Sequence, residues 1–542
     1  MNDFITKFQN ELTGTLSGFD RLVFRGTLWR NRVSGMKGYL WAHGLGFKDF
    51  GEHAEQISKR VKEAAVEPML AAGRPVRYLN SGKDDKPQIA LEIAAADGVR
   101  EGPICALTAV ELCRSYALRR DEETGKPDLK SENRKGLSVY QYWMDPVFGF
   151  MSLRLQTWFP FPIHIYLNGR EWLSRQMDQA RIAYRRQDNC FTWMEDLPRA
   201  QELMHDQGKV NWVQSFNPMA ERIHPLLFTQ LNVNYPMKYY WTSVDSEWAM
   251  DWMFRDPERL RRLVPRLMHL GMVSLSSPDV LRFMGKKVTR AGTAFGRSEL
   301  PISGDLKVRS QGARIKHRLG PNSVKLYDKA YDEQGAVLRS EITLSVPKYF
   351  KVFRRTDDPK SKFAYRPLRQ STADMYLRAD VSQKVLDRYC SALAVVDDTT
   401  TLEELTASIE RRVRWNGKSV RALHPFERDD HLLLKAINRG EFNITGFRNR
   451  DLQPLLYSTA PKTDKERRRR SAAISRKLRM LRAHGLIRKR PRSQRYDVSP
   501  NGRLLLNAIL SAHTLTVRQI TTCAPIAAWK KFFARCDELS GV

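Results

Sequence analysis

The 542-residue sequence contains no run of about 18 apolar residues, so a transmembrane helix is not expected. Its six cysteines, Cys105, Cys113, Cys190, Cys390, Cys523 and Cys536, include no CxxC pair. That spacing argues against zinc and fits reduced thiols in a cytoplasmic setting. The opening residues MNDFITKFQN lack a basic stretch followed by an apolar core, so no secretory signal is expected. There is no Walker loop, no dinucleotide fingerprint and no HExxH, which leaves no organic cofactor to expect. Acidic residues are also short: 60 Asp and Glu face 91 Lys and Arg, a net charge of +31. Such an excess calls for an anionic partner. Nucleic acid leads, because phosphates and the counterions they release reward Lys and Arg. DNA is the expected partner, RNA the alternative, and no membrane association is expected.

What is present suffices for packed cores, with 42% hydrophobic and 10% aromatic residues, and the length suggests two to four domains. SGFDRLVFRGTLWR alternates with period two and reads as a strand, with Gly26 at a turn or bulge. Residues 37–72 have a helical pattern, and the polar stretch 121–136 reads as an exposed loop. Strands are expected at 151–158 and 163–167, a helix at 170–180, a strand within AYRRQDNCFTWME and a short helix from Ser277 to Gly285. The fold class that results is α+β. Mixed sheets with packed helices fill the N-terminal two-thirds, followed by a helical connector and a C-terminal winged helix. The expected domains are 1–150 (α+β, open to being continuous with the next), 151–355 (α+β catalytic core), 373–428 (connector, broken at 397–401), 429–520 (winged helix) and 521–542 (tail helix).

In the C-terminal section, helical patterns at 431–438, 448–457 and 464–484 precede two short strands around a basic tip and a closing helix. Ile474, Leu478 and Leu481 make one apolar stripe. Between Pro461 and Pro500 there are 15 Lys and Arg against 3 Asp and Glu. The stretch SRKLRMLRAHGLIRKRPRSQRYDVSPNGR resembles the winged helix of MarR-type transcriptional regulators over roughly residues 430–515. The resemblance implies a helix in the DNA major groove and a basic wing on the phosphates. The candidate nucleic-acid contacts are Arg467, Arg468, Arg469, Arg470, Arg476, Lys477, Arg479, Arg482, Arg488, Lys489, Arg490, Arg492 and Arg495.

A second candidate site lies in NSVKLYDKAYDEQGAVLRSEITL, residues 322–344, a β-hairpin by its alternation. Tyr327, Arg339 and Glu341 can share one face, while Asp328 joins them only if a bulge re-aims it. The pattern S-x-K-x-Y-D-K followed by R-x-E resembles rolling-circle replication initiators of plasmids and phages. The resemblance implies Tyr327 as a nucleophile on a DNA phosphodiester, with Lys329 and Arg339 offsetting phosphate charge. It implies Mg²⁺ or Mn²⁺ held by Asp20, Asp328 and Glu341. The His-hydrophobic-His pair common in related nickases is reduced here to His164-Ile165-Tyr166, so His164 is either a ligand or a packed core histidine. Glu247 and Asp251 fall at i and i+4, which reads as a helix whose acidic face is solvated or metal-binding. The aromatic stretch LQTWFPFPIHIY suits either base stacking or a core.

Three functions stay open: a metal-dependent DNA nicking-joining enzyme of a mobile element, a non-catalytic winged-helix regulator or adaptor, and an RNA-binding ribonucleoprotein component. In the last two the hairpin is an ordinary sheet face with ion pairs.

Overall fold

The computed structural model describes residues 3–513 apart from 31, 81–83, 188, 276, 286–300, 310–311, 333–334, 357, 359, 395–401, 440–441, 443–445 and 491–492. The expected tail helix and the 397–401 break lie outside the described residues. The chain forms two compact units, one of residues 5–268 and 300–387, the other of residues 1–4, 269–299 and 388–542. The α+β class holds: helices pack around one large mixed sheet.

That sheet belongs to the first unit and has 11 strands. They are β1 (Leu12–Leu28), β2 (Val76–Leu79), β3 (Gly102–Arg120), β4 (Pro127–Asp145), β5 (Gly149–Gln156), β6 (Ile163–Asn168), β9 (Tyr239–Phe254), β10 (Ile302–Arg309), β11 (Gly312–Leu319), β12 (Asn322–Asp332) and β13 (Gly335–Leu344). Between β6 and β9 the chain makes a separate hairpin of β7 (Tyr184–Gln187) and β8 (Cys190–Met194). The spatial order is β10-β11-β12-β13-β9-β1-β6-β5-β4-β3-β2. Two antiparallel meanders, β3 to β6 and β10 to β13, flank a central pair of long strands, β1 and β9. Only β2 runs parallel to its neighbour. Chain order breaks at the central pair, so residues far apart in sequence meet there.

Two expected elements differ. Of the expected loop 121–136, residues 121–126 are an exposed turn, but 127–136 belong to β4, which pairs with β3 as a ribbon up to Arg120. Cross-strand contacts such as the Arg119–Glu132 ion pair, 2.6 Å, tie its polar residues together. Residues 239–254 are not a helix but β9. The i, i+4 spacing of Glu247 and Asp251 is equally a same-face spacing on a strand, where i, i+2 and i+4 align. Trp248, Met250 and Trp252 alternate with them and are buried.

β1 is exposed on one edge over its first half, since pairing with β6 begins only at Arg21. The helix Leu197–Asp206 covers that edge. Gln201 accepts from the Ser17 amide at 2.8 Å and donates to the Ser17 carbonyl at 2.9 Å, replacing the missing ladder. The helix Gly169–Gln179 follows β6 directly, capped by the Asn168 side chain. Glycine is needed at its first position, because a Cβ on Gly169 would lie 2.0 Å from the Phe19 carbonyl oxygen.

In the second unit, helices Arg428–Ile437, Asn449–Leu456 and Asp464–Ala483 precede an antiparallel pair, Ile487–Lys489 with Tyr496–Val498, and helix Pro500–Ala512. Their core includes Leu433, Ile437, Leu452, Phe447 and the stripe Ile474, Leu478 and Leu481. Among the described residues, no helix is long and apolar enough to cross a membrane.

Candidate functional site

The centre of the large sheet buries a group of charged side chains. Register brings them together: Lys325 on β12 faces Glu341 on β13, and Tyr327 faces Arg339. Arg339 in turn faces Asp251 on β9, and Thr343 faces Glu247. β1 contributes through a bulge. Its pairing with β9 slips between Phe19 and Leu22, so two consecutive residues, Asp20 and Arg21, both reach this side of the sheet.

Carboxylate oxygens of Asp20, Glu247 and Glu341 all lie within 4.8 Å of one another. Lys325 Nζ bonds Glu247 at 2.8 Å and also bonds Glu341. Arg21 bonds Glu247 at 3.1 Å and Asp245 at 2.6 Å. Arg339 is fully buried and grips both oxygens of Asp251, at 2.5 and 2.8 Å, and Asp20 at 3.1 Å. Arg170, at the start of its helix, also bonds Asp251 Oδ2, at 3.0 Å. Asn189, at the tip of the β7–β8 hairpin, closes over the group. Its amide donates to both Asp20 oxygens at 3.0 Å, its side-chain oxygen accepts from Lys329 at 3.1 Å, and its carbonyl accepts from Arg339 at 2.8 Å.

The Tyr327 hydroxyl donates to Glu341. Burial, reinforced by the Glu341 charge, pushes the phenol well above its ordinary value. Burial also raises Glu341, helped by the neighbouring charge of Glu247. Glu247 goes the other way: burial opposes ionisation, but Lys325 and Arg21 outweigh it and hold the group at about 2. The same contest lowers Asp251, where Arg339 and Arg170 overcome burial. The result is one firmly ionised carboxylate beside one that takes a proton readily.

Three carboxylates offer hard oxygen donors, which suits Mg²⁺ or Mn²⁺ rather than zinc. The fit carries a condition. Five carboxyl groups, on Asp20, Asp245, Glu247, Asp251 and Glu341, share this region with five cationic side chains, on Arg21, Arg170, Lys325, Lys329 and Arg339. A divalent ion alone would leave an excess of positive charge, whereas an ion with a phosphodiester would come close to neutral.

Of the hairpin residues expected at the site, Tyr327, Lys329, Arg339 and Glu341 are brought to it, and so is Asp20. Asp328 is not: it pairs with Leu338 on the opposite face, and the bulge in β12 falls after it, at Lys329. Glu247 takes its place among the carboxylates. Sequence reasoning also missed Arg170, Asn189, Arg21 and Asp251 as members. Asp251 and Glu247 carried a signal, the period-two alternation through Ser243, Asp245, Glu247 and Asp251. Arg170 and Asn189 carried none. His164 lies elsewhere, beside Arg154 at 3.3 Å, and is pushed down to about 3 by burial and the charges of Arg154 and Arg25.

In the second unit, Arg467, Arg468, Arg469, Arg476, Arg479, Arg488 and Lys489 are exposed. Lys477, Arg470, Arg482, Arg490 and Arg495 are half-buried, and four of these have internal partners. Arg470 stacks 4.7 Å from Tyr457, Arg482 4.8 Å from Trp415, Arg490 pairs with Asp497 at 2.7 Å and Arg495 bonds the Gly446 carbonyl at 3.0 Å. Arg492 lies outside the described residues. No family model matches the sequence, and no curated protein or solved structure matches it. Any functional reading therefore rests on geometry and chemistry.

Proposed function

We propose that the protein is a metal-dependent DNA nicking-joining enzyme of a mobile element, acting in the cytoplasm, with Tyr327 as its nucleophile. The observation that carries the reading is the hydrogen bond from the Tyr327 hydroxyl to Glu341, within a carboxylate triad spanning 4.8 Å. A phenol needs a base to attack at neutral pH. Glu341 Oε2 is that base, since it already accepts the hydrogen bond from the Tyr327 hydroxyl.

Tyr327 Oη forms a bond to phosphorus as its proton passes to Glu341. The bond from phosphorus to the departing sugar oxygen breaks, the electron pair stays on that oxygen and a proton from water completes it, leaving a free 3′ hydroxyl and a 5′ phosphotyrosine. Asp20, Glu247 and Glu341 would hold Mg²⁺ or Mn²⁺, which when bound stabilises negative charge on the phosphoryl oxygens. Lys329, 5.2 Å from the Tyr327 ring, offers a further cation to the phosphate. Arg339 is committed to Asp251 and Asp20 and positions the latter. Joining is the reverse reaction, with a 3′ hydroxyl attacking the phosphotyrosine. The helices, short hairpin and exposed basic side chains of the second unit support a winged helix that places the enzyme on duplex DNA.

The balance of five carboxyls and five cations favours a second reading, in which the group is a structural ion-pair network inside a non-catalytic DNA-binding regulator. Incubation with supercoiled and single-stranded DNA plus Mn²⁺ separates the two. The enzyme gives nicked DNA and a covalent protein–DNA adduct, and Tyr327→Phe gives neither. A regulator gives neither with the unaltered protein.

A further inference from the structure

Toward its C-terminal end, β1 contributes to a cleft of about 750 Å³. That volume lies in the range of roughly 300–1,000 Å³ typical of ligand sites. Arg25, Arg32 and Arg114 line the cleft, and among the described residues no carboxylate lines it. Arg25 Nε is buried without a hydrogen-bond partner. Its guanidinium is destabilised by burial and by the charges of Arg154 and Arg114. Arg154 does not relieve this, since its own partner is Glu111 at 2.9 Å. Arg114 bonds Ser131 through Nε at 2.9 Å, a neutral contact.

Arginines gathered in a concavity without a carboxylate repel one another unless an anion joins them. The guanidinium fork matches phosphate geometry. Of the three aromatic residues in the lining, Tyr116 is buried, while Trp29 at 53% exposure and Tyr240 at 56% present open rings. Free phosphate would leave these rings unused. Duplex nucleic acid would hide its base faces from them. An unpaired strand presents both phosphates and open base faces.

We infer that this cleft binds the backbone of an unpaired nucleic-acid strand, with Arg25, Arg32 and Arg114 on phosphates and Trp29 and Tyr240 against bases. Binding here does not depend on Tyr327 being a nucleophile. Asp20 and Arg25 are five positions apart on β1, a distance of about 17 Å at about 3.3 Å per residue. A strand held in the cleft could therefore run to the carboxylate group, a link that does rest on the nicking reading.

The test is fluorescence anisotropy of full-length protein with a labelled oligothymidine across a KCl series. Arg32→Glu/Arg114→Glu should weaken binding at least about tenfold and reduce the salt slope by about 1.4, for two phosphate contacts at about 0.7 each. Trp29→Ala should weaken it by roughly fivefold or more through lost stacking. Tyr327→Phe should leave it unchanged even if nicking is abolished or was never present. Unaltered affinity in both cleft variants overturns the inference. So does complete displacement of the strand by millimolar inorganic phosphate, which would mark a small-anion site. Should the double variant fail to fold by circular dichroism, Trp29→Ala decides alone, since that ring is exposed.

Discussion

Arg339 shows how closely residues at the site depend on one another. It is fully buried and satisfies Asp251 and Asp20 together. Arg339→Ala should cost about 3–5 kcal/mol in denaturant unfolding, because two buried carboxyl groups lose a partner. Arg339→Lys should recover only part of this, since an ammonium cannot make the paired contact to Asp251. Among the carboxylates, Glu247→Gln should weaken Mn²⁺ binding, measured by calorimetry with oligonucleotide present, at least about tenfold. Asp328→Asn should leave it unchanged, as Asp328 lies on the other face. Two buried histidines contribute to the acid response alongside the depressed carboxylates. His164 and His224 are both held at about 3 in the fold, His224 by burial alone, against an ordinary value of 6.5. Below 6.5 the unfolded chain takes up protons that the folded chain refuses, so stability falls as pH drops toward 3. Each histidine contributes a slope of about 1.4 kcal/mol per pH unit in that window. His224→Phe should flatten the urea-midpoint curve between pH 6 and 4, and an unchanged curve would remove His224 from this role. At this scale much of the site was legible: Tyr327, Arg339 and Glu341 follow from alternation, whereas Asp20 was named only through the resemblance and reaches the site through a bulge. Glu247 was misassigned because one spacing serves both helix and strand, and Asn189 joins from a hairpin tip that no local pattern marks.

At the scale of elements, the bulge in β1 decides the site. A regular strand would point Asp20 and Arg21 to opposite faces; the slip between Phe19 and Leu22 delivers both to one side. The helix beginning at Gly169 presses against the same spot, with space for no Cβ beside the Phe19 carbonyl. Gly169→Ala should therefore cost about 1–3 kcal/mol and disturb Asp20, seen as weakened Mn²⁺ binding. Serine at the exposed Gly51, where an added Cβ meets nothing within 4 Å, is the neutral comparison. Sequence alternation reveals strands but not where pairing slips, since a slip depends on the partner strand. It also underrated the ribbon at 127–136, whose polar residues pair across strands where no core is needed.

Across the whole molecule, the charge of +31 and the buried polar centre belong to one account. In the proposed function, the basic surface would bring the phosphate backbone, and the central strands would supply a nucleophile with carboxylates. The α+β class was legible from composition and periodicity. The order of an 11-stranded sheet was not, because β9 pairs with a strand more than 200 residues earlier. Binding to duplex DNA should fall about a thousandfold between low and moderate salt if about six phosphates are contacted, checked by filter binding. The central claim is tested most directly by denaturing electrophoresis of the protein after incubation with labelled single-stranded DNA and Mn²⁺. The account predicts a DNA-linked band for the unaltered protein that is absent from Tyr327→Phe; an adduct that persists in Tyr327→Phe, or no adduct in either, would contradict it.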